Sequence, residues 1–237
     1  MTITTDLGIY IHWPFCEKKC PYCDFNSHVA HKKIDQEDFL ELINKEINYH
    51  KDYLNDKKIS SIFFGGGTPS LMDPYVVERI LMHLSSQSKI TRNTEITIEA
   101  NPTSVELKKF REYSKIGINR ISIGVQSLNN DDLKNLGRTH TAELAIEAVG
   151  IAQSYFKSVS IDLIYARPGQ SEKSWQLELE KALSLQTQHL SLYQLTIEPK
   201  TLYEKLYNLG KIELPSEQLS NKLYQLTEEI CGRFFLK

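Results

Sequence analysis

Three of the chain's four cysteines fall in one short segment, Cys16-Glu-Lys-Lys-Cys20-Pro-Tyr-Cys23. A short loop can wrap three thiolates around one inorganic core, the usual way an iron–sulfur cluster is held. The fourth cysteine, Cys231, stands far downstream in the sequence. If it does not reach the cluster, one iron has no protein ligand and can chelate a small molecule. Structural zinc needs four Cys or His ligands. His12 or His28 could supply the fourth, so local spacing leaves both centres open. A disulfide framework would spread its cysteines along the chain. Clustered thiols suit metal or redox chemistry in a reducing compartment.

Further polar exceptions recur at intervals. Phe64-Gly65-Gly66-Gly67-Thr68-Pro69 follows an apolar run. Its glycines let backbone N–H groups approach a ligand with no side chain in the way. Glu99, in Glu99-Ala-Asn101-Pro102, could accept hydrogen bonds from ribose hydroxyls or an amine. Alone it reads as an ordinary cap before the next helix. Gln126 offers both a donor and an acceptor, and Arg138 could clamp a carboxylate in two-pronged fashion. Asp162 interrupts an apolar strand, which is costly unless the carboxylate is paired or functional. In the 192–199 segment, alternation puts Tyr193 and Leu195 on one face and Gln194 and Thr196 on the other. The second pair would then line a channel.

The elements that must hold these residues alternate in type. Strands are expected at 8–13, 59–64, 95–100, 120–125, 158–165 and 189–197, from apolar, β-branched runs bounded by turn residues. Helical spacing covers 35–54, 73–85, 103–115, 131–136, 141–155, 171–185, 201–209 and 216–235. Thr103 and Glu106 form a T-x-x-E capping box. Such alternation demands a parallel sheet with right-handed crossovers. Six units fall short of the eight that close a full barrel, so the expected fold is α/β, a partial (β/α)6 TIM-like barrel. The polar exceptions then gather at the C-terminal ends of successive strands, where such sheets carry their chemistry. Six of them in one structural place argue for one site.

Bulk composition agrees with a soluble globular domain. Hydrophobic residues are 41% and charged residues 24% of 237. A net charge of −2 gives no general attraction to nucleic acid or anionic lipid. No apolar run is long enough to cross a membrane. The 1–8 segment lacks the basic start and apolar stretch of a secretory signal, so a cytoplasmic location is expected.

The cysteine motif, with an aromatic residue before its third cysteine, resembles the radical S-adenosylmethionine superfamily. The segments GGGTPS, EANP, ISIGVQS, LGRTH, DLIYARPGQ and LSLYQLTIEP narrow the resemblance to one branch. That branch holds the oxygen-independent coproporphyrinogen III oxidases and the haem chaperones. The resemblance runs from about Gly8 to about Tyr203. It implies that Cys16, Cys20 and Cys23 ligate three irons of a [4Fe–4S] cluster and that S-adenosylmethionine binds the fourth. Electron transfer to the sulfonium would give methionine and a 5′-deoxyadenosyl radical. The cluster would sit toward the low end of a range of roughly −700 to +450 mV. By motif position, Tyr10, Gly66 and Glu99 would contact this S-adenosylmethionine, and Tyr22 its adenine through the backbone. Gly67, Thr68, Gln126, Arg138 and Asp162 match positions that hold a second S-adenosylmethionine in the oxidase.

Phe25 separates the two relatives. The oxidase carries a further cysteine at this place, and Cys23-Asp24-Phe25 resembles the chaperone instead. The implied task is to bind haem and deliver it to respiratory proteins, with a peripheral position at the inner membrane. An electron donor such as flavodoxin or ferredoxin is implied as partner. The alternative is oxidation of a porphyrinogen, the oxidative decarboxylation of coproporphyrinogen III. The branch continues into a C-terminal region with a His-Asn-x-x-Tyr-Trp motif, which this sequence lacks before Lys237. The expected division is therefore a core at 1–210 and the start of a truncated C-terminal helical region at 211–237.

Overall fold

The computed structural model describes residues 6–32, 34–55 and 57–235. Most of the 1–8 segment read above for a signal lies outside them. In chain order the strands are β1 (Leu7–Trp13), β2 (Phe15–Cys16), β3 (His28–Val29), β4 (Ile59–Gly66), β5 (Glu95–Ala100), β6 (Arg120–Gln126), β7 (Ser158–Tyr165) and β8 (His189–Gln194). The helices are α1 (Gln36–Tyr49), α2 (Lys51–Leu54), α3 (Pro74–Gln87), α4 (Ser104–Leu107), α5 (Phe110–Lys115), α6 (Asn130–Asn135), α7 (Ala142–Tyr155), α8 (Glu172–Leu183), α9 (Leu202–Asn208) and α10 (Glu217–Phe235).

All pairs in the main sheet are parallel, in the order β1-β4-β5-β6-β7-β8. Spatial order follows chain order without reversal, so the sheet winds as a barrel and not as a doubly wound sheet. β1 and β8 do not pair, and the barrel stays open. This is the partial (β/α)6 barrel expected from the alternation.

Each strand turns an apolar face outward onto the helices. Ile62, Phe64, Ile98, Ile121, Ile123, Val159 and Ile161 are fully buried there. Ala145, Ala148 and Ala152 let α7 approach the sheet closely. The inward face is different in kind. It carries Thr97 and Glu99, Ser122 and Gly124, Ser160 and Asp162, Ser191 and Tyr193. A polar interior is what a wet, ligand-holding barrel requires. The final helix α10 adds Leu223 and Ile230 to the same core, and Trp175 of α8 donates its indole N–H to Thr227 Oγ1 at 2.8 Å.

Two expected helices are split. The 35–54 helix breaks at His50, between α1 and α2. The 103–115 helix breaks at Lys108 and Lys109, where Lys109 N bonds Glu106 O, one residue short of the α-helical step. The Lys109 ammonium is committed elsewhere, donating to Ser70 O, Leu71 O and Met72 O at 3.1, 3.0 and 2.8 Å. The capping box is also incomplete. Thr103 Oγ1 accepts from Glu106 N, but the Glu106 carboxylate takes Asn101 N–H at 2.7 Å instead of the cap's own N–H. Glu106 also accepts from Ser70 Oγ and Thr103 Oγ1. It thereby joins the β5 exit to the 3₁₀ turn Pro69–Leu71 after the glycines.

The glycine segment continues β4 through Gly66 instead of ending at Phe64. Its N–H groups are already used. Gly66 N donates to Glu99 Oε2 at 3.2 Å, Gly67 N to Trp13 O at 2.7 Å and Thr68 N to Phe15 O at 2.8 Å. The expectation that these N–H groups meet a ligand is therefore corrected. The glycines serve close approach: a Cβ on Gly67 would stand 2.5 Å from Phe15 O, and Gly66 has φ +115°. We expect Gly67→Ala to prise the chain after β1 from the end of β4. The cost should be about 1–3 kcal/mol, measured by chemical denaturation of the metal-free protein. An unchanged midpoint would mean that the segment relaxes freely.

Candidate functional site

The cysteine loop leaves β1 and is pinned at its base. β2 pairs with β3, His28 N donates to Pro14 O at 2.8 Å, and Ala30 N to Cys16 O at 3.0 Å. Within the loop, Cys23 N donates to Cys20 O at 3.1 Å, a turn that draws two thiols together. Lys19 Nζ closes the far side on Phe25 O and Ser27 O, each at 3.2 Å. Cys16, Cys20 and Cys23 all face one cavity of about 330 Å³ at the C-terminal ends of the strands. Burial pushes the Cys23 thiol up from its ordinary value. Arg138 Nη1 lies 3.4 Å from Cys20 Sγ, placing positive charge where a thiolate would form. Cys231 is not among the residues lining this cavity and packs against the main core.

The zinc alternative fits this geometry poorly. Among the described residues no three His, Cys, Asp or Glu side chains converge on a point suited to one metal ion. Tetrahedral zinc demands such convergence, whereas a cluster gives each thiolate its own iron. His12 is also engaged, with Nε2 2.9 Å from Asn26 O and Nδ1 3.3 Å from Tyr10 Oη. Three free thiols on one cavity wall, with no fourth Cys and no His among the described residues that line it, fit a cluster with an open iron.

The other walls come from later strand ends. Gly66 and Gly67 give a side-chain-free stretch, and beside them Asn101 Nδ2 donates to Thr68 Oγ1 at 3.2 Å. Glu99 faces them. Burial, reinforced by Asp162, pushes its carboxyl up to about 7 against the Gly66 N–H bond that lowers it. Asp162 accepts from Ser122 Oγ at 3.0 Å, and burial raises its carboxyl as well. The costly strand carboxylate is thus both paired and turned into the cavity. Gln126 ends β6 at φ +67°, a left-handed conformation unfavourable for a residue with a Cβ. Arg138 Nη2 donates to Gly124 O at 2.9 Å and to Asn101 Oδ1.

Eleven of the twelve sequence-derived positions line this cavity: the three cysteines with Tyr22, Gly66, Gly67, Thr68, Glu99, Gln126, Arg138 and Asp162. Tyr10 does not. It is 57% exposed, stacks on Phe63 and lies near enough to Glu99 for that charge to add to the effect of burial on its phenol. The face assignment after residue 190 needs correction. Register pairs Asp162 with Ser191 and Ile164 with Tyr193, so Ser191 and Tyr193 share the interior face. Gln194 and Thr196 reach the cavity because the strand ends at Gln194 and alternation stops there. Ser122 and Asn101 were missed as wall residues. Ser122 was legible two positions before Gly124, on the inward face.

His140 and His189 lie apart from this cavity's lining. His140 is buried with Nε2 3.0 Å from Val125 O, and burial beside Arg138 lowers it to about 4. His189 sits at the opposite end of the barrel, with Nδ1 2.9 Å from Ser160 Oγ. Among the described residues no helix is long and apolar enough to cross a membrane.

Comparison with known proteins agrees with this construction. Residues 10–182 match the family described as the Radical SAM superfamily. The chain is 40% identical over 231 residues to heme chaperone HemW of Buchnera aphidicola from Schizaphis graminum, covering 98% of this chain and 59% of that protein. It is 40% identical over 198 residues to heme chaperone HemW of Escherichia coli K12, covering 83% and 52%. The solved coproporphyrinogen III oxidase HemN of Escherichia coli superposes with a TM-score of 0.85 at 27% identity, covering 97% of this chain and 53% of that one. The chain spans about half the length of the relatives it matches. A thiol triad after the first strand, an open six-stranded barrel and a family match over most of the chain agree with one another, and the chain belongs to the Radical SAM superfamily.

Proposed function

We propose that Cys16, Cys20 and Cys23 hold a [4Fe–4S] cluster, that S-adenosylmethionine occupies the adjoining cavity, and that the protein binds haem and delivers it to respiratory proteins. Superfamily membership implies the cluster and S-adenosylmethionine. The observation that carries the cofactor reading is the convergence of three thiols with Glu99, Gln126, Arg138 and Asp162 on one cavity. The haem reading rests on 40% identity to haem chaperones.

In this reading Glu99 receives the ligand's amino group, with Tyr10 and Gly66 beside it, and the Tyr22 backbone meets the adenine. Gly67, Thr68, Gln126, Arg138 and Asp162 form the wall for a second S-adenosylmethionine or another small molecule. When bound and reduced, the cluster supplies one electron to a sulfonium. The protein's part is to keep one iron open and to hold the sulfonium against it. A small electron carrier such as flavodoxin or ferredoxin serves as donor. The 1–210 segment forms the core unit, and α10 of the 211–237 segment packs onto it through Leu223 and Ile230. A cytoplasmic setting suits both readings.

The fold likeness to HemN favours a second reading, oxidation of coproporphyrinogen III. Phe25 weighs against it, being 58% exposed at the cavity in place of the oxidase's additional cysteine. The anaerobically reconstituted chain should change the Soret band of added haem. With S-adenosylmethionine and a reductant it should leave coproporphyrinogen III intact. Formation of protoporphyrinogen would select the oxidase instead, and an unchanged Soret band would remove the haem role from this chain.

A further inference from the structure

Arg167 is only 2% exposed and does not line the cavity. Its guanidinium nevertheless joins four elements. Nη2 donates to Asp132 Oδ2 on α6 at 3.0 Å and to Glu178 Oε2 on α8. Nη1 donates to Ile164 O of β7 at 2.7 Å and to Gln126 O at the end of β6 at 3.4 Å. Glu178 Oε1 accepts from Ser127 Oγ at 2.6 Å and Leu128 N at 2.7 Å. The corner at Gln126, Ser127 and Leu128 is therefore held by both members of a buried ion pair.

That corner is strained. Gln126 has φ +67°, and Ala166, next to Arg167, has φ +57°. Non-glycine residues keep such angles only where their surroundings over-determine them. The second arm acts through α6. This short helix runs into Gly137 and Arg138, whose N–H groups bond Lys134 O and Leu133 O at 2.9 Å each. Gly137, at φ +70°, packs so closely on the cysteine loop that a Cβ would lie 2.6 Å from Pro21 Cδ. Holding α6 by Asp132 therefore holds Arg138 in its place beside Cys20.

Stability alone gives weak grounds for such a network, because apolar replacements of buried ion pairs are often neutral or better. We infer that Arg167 is a positioning residue for the small-molecule side of the cavity, setting Gln126 through its carbonyl and Arg138 through Asp132 and α6. Affinity for S-adenosylmethionine then depends on a side chain that never touches it. This inference rests on the cavity being the S-adenosylmethionine site.

The test compares three reconstituted proteins by iron and sulfide content, thermal midpoint and equilibrium dialysis of S-adenosylmethionine. They are the wild type, Arg167→Lys, and a neutral triple variant with Arg167→Met, Asp132→Asn and Glu178→Gln. The triple variant leaves no unpaired buried charge in the network. Its expected behaviour is wild-type cluster content and midpoint with affinity lowered about tenfold, equivalent to about 1.4 kcal/mol. Arg167→Lys keeps the charge but loses the planar fork, and should show a smaller loss. Wild-type affinity in a folded, cluster-loaded triple variant overturns the inference. If the triple variant fails to fold, wild-type affinity in Arg167→Lys overturns it equally. Parallel loss of cluster and affinity in both variants would mark a merely structural role and also overturn it. Failure of the wild type to bind would instead reject the reading of the cavity on which the inference rests.

Discussion

Cys20→Ala is expected to lose its iron and sulfide after anaerobic reconstitution and desalting, while Cys231→Ala keeps the wild-type content. The difference follows from where the two thiols lie. Cys20 is the middle residue of the loop, turned toward Cys23 by the bond between Cys23 N and Cys20 O. Its Sγ is the one beside Arg138. Removing it leaves two thiols to hold a core that needs three anchors. Neither His12, whose two nitrogens are engaged, nor His28 lines the cavity to replace it. Cys231 lies on α10, packed against the main core away from the cavity lining. The measurement is iron and acid-labile sulfide per chain, with the visible spectrum as a second readout. Loss of the cluster in Cys231→Ala would make that residue a ligand and close the iron described above as open.

Glu99→Gln is expected to weaken S-adenosylmethionine binding by between about tenfold and a hundredfold at pH 8, without loss of the cluster. A hydrogen bond to a charged group contributes about 1.5–3 kcal/mol, and glutamine retains the shape but not the charge. The pH dependence separates this role from simple packing. In the ligand-free protein burial pushes the Glu99 carboxyl up to about 7, from an ordinary value of 4.5. The folded state therefore binds this proton more tightly than the unfolded state does. The resulting stability is complete below pH 4.5 and is lost as pH rises through about 7. An amino N–H donor of the ligand beside Glu99 favours the carboxylate. Ligand affinity should thus rise toward pH 7, by at most about tenfold per unit, and level above it. Glu99→Gln should flatten both the fall in apo-protein stability and the rise in affinity. A wild-type pH profile in the variant would assign the dependence to another group, Asp162 first, because its carboxyl is raised by the same burial.

The barrel was legible because its strands read directly in the sequence. The 95–100 and 158–165 runs match β5 and β7 residue for residue, and the order of units dictated the order of strands. The candidate site was legible for a related reason. A carboxylate such as Asp162 in an apolar strand is conspicuous, and parallel winding brings every strand's C-terminal end to one rim. What the sequence concealed depends on partners distant along the chain. The glycine segment suggested free N–H groups, but Glu99 Oε2, Trp13 O and Phe15 O had already taken those of Gly66, Gly67 and Thr68. Glu106 looked like half of a local capping box, yet its carboxylate turned to Asn101 N and Ser70 Oγ. Gln194 and Thr196 followed strand alternation only as far as the strand lasted. The Arg167 network joins residues separated by up to 51 positions, and no local pattern announces it.

In the proposed function the thiol triad builds a cluster with one iron open to S-adenosylmethionine. The most direct test is electron paramagnetic resonance of the anaerobically reconstituted, dithionite-reduced chain with and without S-adenosylmethionine. About four irons per chain are expected, with a reduced-cluster signal whose g-values shift when S-adenosylmethionine is added. One tightly bound zinc in place of iron, or a cluster signal that S-adenosylmethionine leaves unchanged, would contradict it.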